Sequence, residues 1–141
     1  MKIGARVVSM ASKPEDSRER TKKFALRVIR LFRALPRSGD AQVIGKQLLR
    51  SGTSVAANYR AACRARSRRE FAAIVGIVME EADETVFWLE LICESGMVPT
   101  SRLEGLLKEA QELAAIFTAS YGTARSKRSI TQLPDYPITQ S

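Results

Sequence analysis

From Ser67 to Gly96 the chain reads SRREFAAIVGIVMEEADETVFWLELICESG, with apolar residues at helical spacing and no proline. Ser67 and Glu70 form a capping-box pattern at its start, and Gly96 supplies a left-handed stop at its end. The stretch predicts one helix of roughly 28 residues, about 42 Å long at 1.5 Å per residue. Three other segments carry the same signal. Over 15–35, Phe24, Val28, Leu31 and Leu35 form a stripe that Ala25, Ile29 and Phe32 widen. Arg20, Lys23, Arg27, Arg30, Arg33 and Arg37 fall on the opposite arc. Ser12 and Glu15 offer its capping box, with Pro14 tolerated in the first turn. The turn cluster Pro36–Asp40 separates it from a second helix over about 40–65, capped by Ser38 or Asp40. A fourth follows Pro99 and the SRLE of Ser101–Glu104, with Leu103, Leu106, Ala110, Leu113 and Phe117 as its stripe and Tyr121-Gly122 as its expected end.

Strand signals are absent, and no glycine-rich loop follows a strand. The pattern therefore predicts an all-α fold, an antiparallel up-down four-helix bundle over 15–121. Flexible segments are expected at 1–14 and in the basic and polar tail 122–141, which has no period and two prolines. A chain of 141 residues supports one domain with a modest core. No stretch approaches the 18–20 apolar residues, roughly, that a bilayer span needs. The opening MKIGARVVSMASK has a short apolar part interrupted by Arg6, which does not read as a signal peptide. The cytoplasm is the expected compartment, with no membrane partner.

The composition argues against catalysis. There is no histidine, so the commonest general base and metal ligand is missing. Cys63 and Cys93 lie within helical patterns at a spacing that asks for no disulfide, and read as small packed thiols. No nucleophile stands beside an evident base. No cofactor, metal or catalytic residue is expected.

Charge is distributed unevenly. The net charge is +8, but residues 1–70 carry +13, residues 71–113 carry −7, and the remainder +2. Such asymmetry suits an anionic partner, or copies that attract one another, or both. Arg60, Arg64, Arg66, Arg68 and Arg69 crowd the junction of helices two and three. With Arg27, Arg30 and Arg33 they are the candidate nucleic-acid-binding residues. Exposed aromatics are not interleaved among them, so any binding of RNA or DNA would be electrostatic, without base stacking. The competing reading is a structural or protein-interaction module whose charge asymmetry serves self-assembly.

Helix two is unusual. Its seam Ile44, Leu48, Ser51, Val55, Asn58, Ala62 is interrupted by two polar residues, and Gly52, Ala56 and Ala57 thin the same region. An interior glycine costs about 1 kcal/mol relative to alanine, so close helix approach is the expected compensation. Buried Ser51 and Asn58 need partners. Glu81, Glu84 and Trp88 share one face of helix three and are the expected source, forming a polar layer with Arg50, Ser54 or Asn58 that sets helix register.

The blocks FALRVIRLF (Phe24–Phe32), QLLRSGTSVAAN (Gln47–Asn58), EADETVFWLEL (Glu81–Leu91) and SGM (Ser95–Met97) resemble the bacterial four-helix bundle family of 23S rRNA intervening-sequence proteins, once labelled S23 ribosomal proteins. The resemblance covers about residues 20–120. The fold is similar to that of the accessory variability determinant of diversity-generating retroelements, a basic pentameric barrel that works with a reverse transcriptase and nucleic acid. The resemblance implies a homopentamer, with a reverse transcriptase as a candidate partner. It brings no catalytic residue. Gln47, Arg50, Ser51, Ser54, Asn58, Glu81, Glu84 and Trp88 are carried over as structural or assembly residues. This chain departs from the family pattern in its extra arginines and its longer tail.

Overall fold

The computed structural model describes residues 14–132, with side chains from 16 to 126. Among them lie four helices: α1 (Pro14–Ala34), α2 (Gly39–Ala62), α3 (Arg68–Ser95) and α4 (Thr100–Gln132). Only four or five residues link each pair, at 35–38, 63–67 and 96–99, and links this short make sequential helices antiparallel neighbours. Each helix packs on the next in sequence, and α1 returns to α4 over a shorter stretch. The result is the up-down four-helix bundle that the periodicity predicts.

Caps set the helix ends. The Ser67 hydroxyl accepts from the Glu70 amide at 3.0 Å, while the Glu70 carboxylate accepts from the Arg66 amide at 2.9 Å. Gly96 takes φ 80° and ends α3 where the sequence puts the stop. At α2 the N-cap is Ser38, whose side chain makes no capping bond to the helix. Asp40 instead accepts from the Ala41 amide at 2.8 Å. Hydrogen bonds from Ser38 and from that amide hold its carboxyl below the usual range. The Ser12 capping box lies outside the described residues.

One boundary differs from expectation. α4 does not end at Tyr121-Gly122 but continues to Gln132. Gly122 keeps helical geometry, and the next proline comes only at Pro134. The Arg125 guanidinium lies 5.3 Å from the Tyr121 ring centroid, one turn along, which supports the extension.

The core follows the sequence stripes. Phe24 and Val28 of α1, Leu48, Val55 and Tyr59 of α2, Val78, Leu89 and Ile92 of α3, and Leu103, Leu113 and Phe117 of α4 are buried together. Tyr59 and Phe117 cross the bundle with ring centroids 5.2 Å apart. The α1–α4 seam, the lightest of the four, is closed by charge. Arg20 donates to both Glu109 oxygens, at 2.7 and 2.8 Å, and to Glu112 at 2.8 Å. Sequence reading placed Arg20 on the solvent arc. Its long side chain reaches sideways to α4 and lies only partly exposed.

Two glycines of α2 face α1. A Cβ on Gly52 would stand 2.9 Å from a methyl of the buried Val28, and one on Gly45 would stand 2.7 Å from Leu35 Cδ1. Gly52 is therefore the close-approach site expected; Gly45, one heptad earlier, is a second. The neighbouring Ser51 faces the other way. Its hydroxyl is fully buried and shares a 2.9 Å hydrogen bond with the buried Thr85 hydroxyl of α3. Thr85 also donates to the Glu81 carbonyl at 2.7 Å.

Substitutions at these positions should separate the two effects. Gly52→Ala gains helix propensity but must displace a stiff β-branched side chain, so it should lower stability by about 1–2 kcal/mol. Gly105→Ala, whose Cβ would meet only the mobile end of Arg27 at 3.2 Å, should raise it by up to about 1 kcal/mol. Ser51→Ala and Thr85→Val should each cost about 1 kcal/mol, with a coupling of about 0.5–1.5 kcal/mol in the double variant. Urea unfolding of all five variants checks both expectations.

Candidate functional site

The residues singled out in the sequence fall into three places. The first is the α2–α3 groove. Arg50 donates to both Glu81 oxygens, at 3.2 and 3.4 Å, and to Glu84 at 2.5 Å. Gln47 accepts weakly from Arg50 at 3.5 Å. The Trp88 indole donates to Glu84 at 3.0 Å. These hydrogen bonds from Arg50 first, then Trp88, hold the Glu84 carboxyl below the usual carboxylate range. The Arg50 guanidinium is pushed up by the same contact. The spacing of α3 puts Glu81, Glu84 and Trp88 on one side, as read, and α2 brings Arg50 over them.

Two expected partners are different. Ser51 does not reach the carboxylates; it pairs with Thr85, which sequence reading missed. Asn58 donates to the Ser54 carbonyl of its own helix at 2.9 Å. The physical reason is position. Ser51 sits at the buried centre of the seam, whereas the two carboxylates lie at its solvent edge, where the long Arg50 reaches them from α2. Thr85 lies one residue after Glu84 on the buried arc, so the i, i+1 step that exposes one hides the other.

The second place is one end of the bundle. Arg60, Arg64, Arg66, Arg68 and Arg69 are exposed around the α2–α3 turn. Arg66 is 90 % exposed, with Glu70 at 3.9 Å as its ion-pair partner. Exposed Arg18 of α1 and Arg125 of α4 lie at the same end. Arg125 was assigned to a tail in the sequence. Tyr121 meets Gly76, so α4's further course to Gln132, about 16 Å at 1.5 Å per residue, brings it level with the turn. Asp16 and Glu19 of α1, both exposed, and the partly exposed Glu70 of α3 are the acids nearby. Tyr59 is not available for base stacking: it is buried, and burial first, then Cys63 beside it, pushes its phenol up to about 12.

The third place holds Arg27, Arg30 and Arg33, exposed along the other half of α1. Arg30 lies sixteen residues above Pro14, about 24 Å along the helix axis. The structure therefore divides the eight candidate arginines into two separate groups. No described helix is long and apolar enough to cross a membrane.

The Glu84 contact has a pH signature. A carboxyl whose folded pKa is depressed stabilises the fold above its unfolded value, about 4.3 for Glu, and loses that contribution as pH falls through the folded value. Glu84→Gln should cost a few tenths to about 1 kcal/mol at neutral pH, since the network is partly exposed. The difference should close in acid, as thermal unfolding of both proteins across pH will show.

Residues 16–119 match the family described as 23S rRNA-intervening sequence protein. No curated protein matches the chain. Among solved structures, the chain is similar to a protein of unknown function from the S23 ribosomal protein family of Bacteroides thetaiotaomicron. They share 30% sequence identity and a TM-score of 0.71, over 77% of this chain and 97% of that one. The four-helix architecture, the family match over most of the bundle and this solved relative agree: the chain belongs to the 23S rRNA-intervening sequence protein family.

Proposed function

We propose that the protein is a non-enzymatic, ring-forming bundle that binds nucleic acid electrostatically through its basic end. The observation that carries this reading is the gathering of arginines from α1, α2, α3 and α4 at that end. Four helices contribute cations there, and the nearby acids are few. Phosphates are the matching ligand, because lysine and arginine contacts to them release counterions without needing a base sequence. Repetition of the patch around an oligomer would multiply weak contacts. Subunit number, pentameric by resemblance, and a role beside a reverse transcriptase rest on the family likeness alone. The cytoplasm suits an RNA or DNA ligand.

A second reading, an assembly module without a nucleic-acid ligand, is favoured by the acidic outer face of α3, which complements the basic face of α1. Binding assays decide between them. Labelled RNA and DNA of mixed sequence, single-stranded and duplex, should bind at 50 mM salt. Each phosphate contact contributes about −0.9 to the slope of log K against log salt, so three arginines account for about 40-fold between 50 and 200 mM. The triple variant Arg64→Ala, Arg66→Ala, Arg69→Ala should lose about that much salt dependence. Absence of binding at low salt, or binding unchanged in the variant, favours the assembly module.

A further inference from the structure

The ion pairs within the molecule leave charge unused on two helices. Among the described residues, Lys23, Arg27 and Arg30 of α1 join none of them, and neither do Glu80, Asp83 and Glu90 of α3. Contacts with α4 locate both groups. The Arg27 guanidinium lies 3.2 Å from where a Cβ on Gly105 of α4 would stand, so it covers the α1–α4 face. Lys23 and Arg30 flank it, one turn to either side. Gly76 of α3 meets the Tyr121 ring of α4. Glu80, Asp83 and Glu90 follow Gly76 along the same side of α3 at helical spacing, four, seven and fourteen residues on. They edge the α3–α4 face, over a groove where Met79, Val86, Cys93, Leu107 and Ala114 pack partly buried against the core. The groove is continuous, because its positions recur every seven residues on each helix.

The geometry points to a contact in which the α3–α4 face of one copy docks on the α1–α4 face of the next, with α4 innermost in the ring. It rests on the ring-forming reading above and names the two surfaces. Closure requires neighbouring faces. Each helix packs on the next and α1 on α4, without diagonal packing among the described residues. The helices therefore stand at four corners, and adjacent faces look out at roughly 90° to each other. In a ring with parallel axes, the two contact faces of one copy look out at a half turn less one ring step. That angle is about 90° for four copies and about 108° for five. Adjacent faces meet this condition, and opposite faces would give an open row.

Each pair of adjacent faces brings a different helix to the ring axis, and charge selects among them. α2 would gather exposed Lys46, Arg60 and Arg64 there, α1 would gather Lys23, Arg30 and Arg33, and α3 would gather Glu80, Asp83 and Glu94. Like charges drawn together from every copy oppose closure. The exposed side of α4 carries Gly105, Lys108, Glu112, Ala115, Ala119 and Gly122. Its one cation and one acid cancel, Glu112 already pairs with Arg20, and the small residues permit close approach. With α4 innermost, the bases of α1 meet the acids of α3 in the next copy. Their heights agree. Gly52 lies against Val28, and Ser51 beside it bonds Thr85, so Val28 and Thr85 are level. α1 and α3 run in the same direction, which puts Lys23 level with Glu80. By helix rise, Arg27 stands within about 2 Å of the height of Asp83, and Arg30 within about 5 Å of that of Glu90.

Light scattering on size-separated full-length protein tests this with charge reversals at exposed positions. Wild type should have the mass of four or five chains. Lys23→Glu with Arg27→Glu sets acid against acid, and Glu80→Lys with Asp83→Lys sets base against base. Each double variant should fall to the mass of one chain with unchanged helical circular dichroism. All four substitutions in one chain exchange the signs of the two faces and should restore the wild-type mass, which also shows that the substituted chain folds. Ala115→Arg with Ala119→Arg should abolish the ring by crowding cations at its axis. Double variants that keep the wild-type mass, or a fourfold variant that stays single-chain, overturn the pairing of these faces while the ring-forming reading stands. An intact ring in the α4 variant overturns the inner place of α4. A single-chain wild type overturns both this contact and the ring.

Discussion

The spacing of the bundle depends on two adjacent residues of α2. Gly52 gives up its side chain so that Val28 of α1 can occupy the space a Cβ would take. Ser51, turned about 100° away, bonds Thr85 of α3 in a buried setting. The first contact is steric and sets a distance. The second is directional and sets a register, because a buried hydroxyl that loses its partner costs about 1–3 kcal/mol. Together they lock α1 and α3, which do not pack on each other, at a fixed relative height. α4 is then held by apolar packing on α3 and by the Arg20 clasp to Glu109 and Glu112.

Much of this was legible from residue order. Periodicity located all four helices, since an apolar stripe at 3.6 spacing has few other uses in a chain of this length. Gly96 and Ser67 marked their boundaries through local chemistry alone. The polar seam was legible in kind but not in partner. A buried serine announces a need for a hydrogen bond, yet which residue meets it depends on helix rotation, and a single-residue step separates Thr85 from Glu84. Long side chains misled in a similar way. Arg20 lies on a polar arc by angle, but its reach carries it to a neighbouring helix. The end of α4 was misread because Gly122 resembles a stop, whereas a glycine ends a helix only where it takes positive φ.

The family match and the solved relative establish the bundle and its membership. The chain's arginines do not form one surface. One group rings an end of the bundle, and the other lies along the outside of α1, roughly 20 Å away by helix rise. A sequence map shows these groups as one basic half, because the chain passes from the first to the second before it reaches the acidic helix. Folding separates them and sets the acidic face of α3 on the opposite side from α1.

That arrangement gives the molecule a direction. The turn between α2 and α3 and the far reach of α4 lie at the same end, while the loops joining α1 to α2 and α3 to α4 lie at the other. Copies standing with parallel axes would present unlike rims, one studded with arginine and the other of mixed charge. A polyanion approaching such an assembly would find only one rim attractive, and would lie across it instead of wrapping the outer wall. The particle would have a front and a back, and anything bound to its back would be held at a distance from the nucleic acid set by the length of the helices.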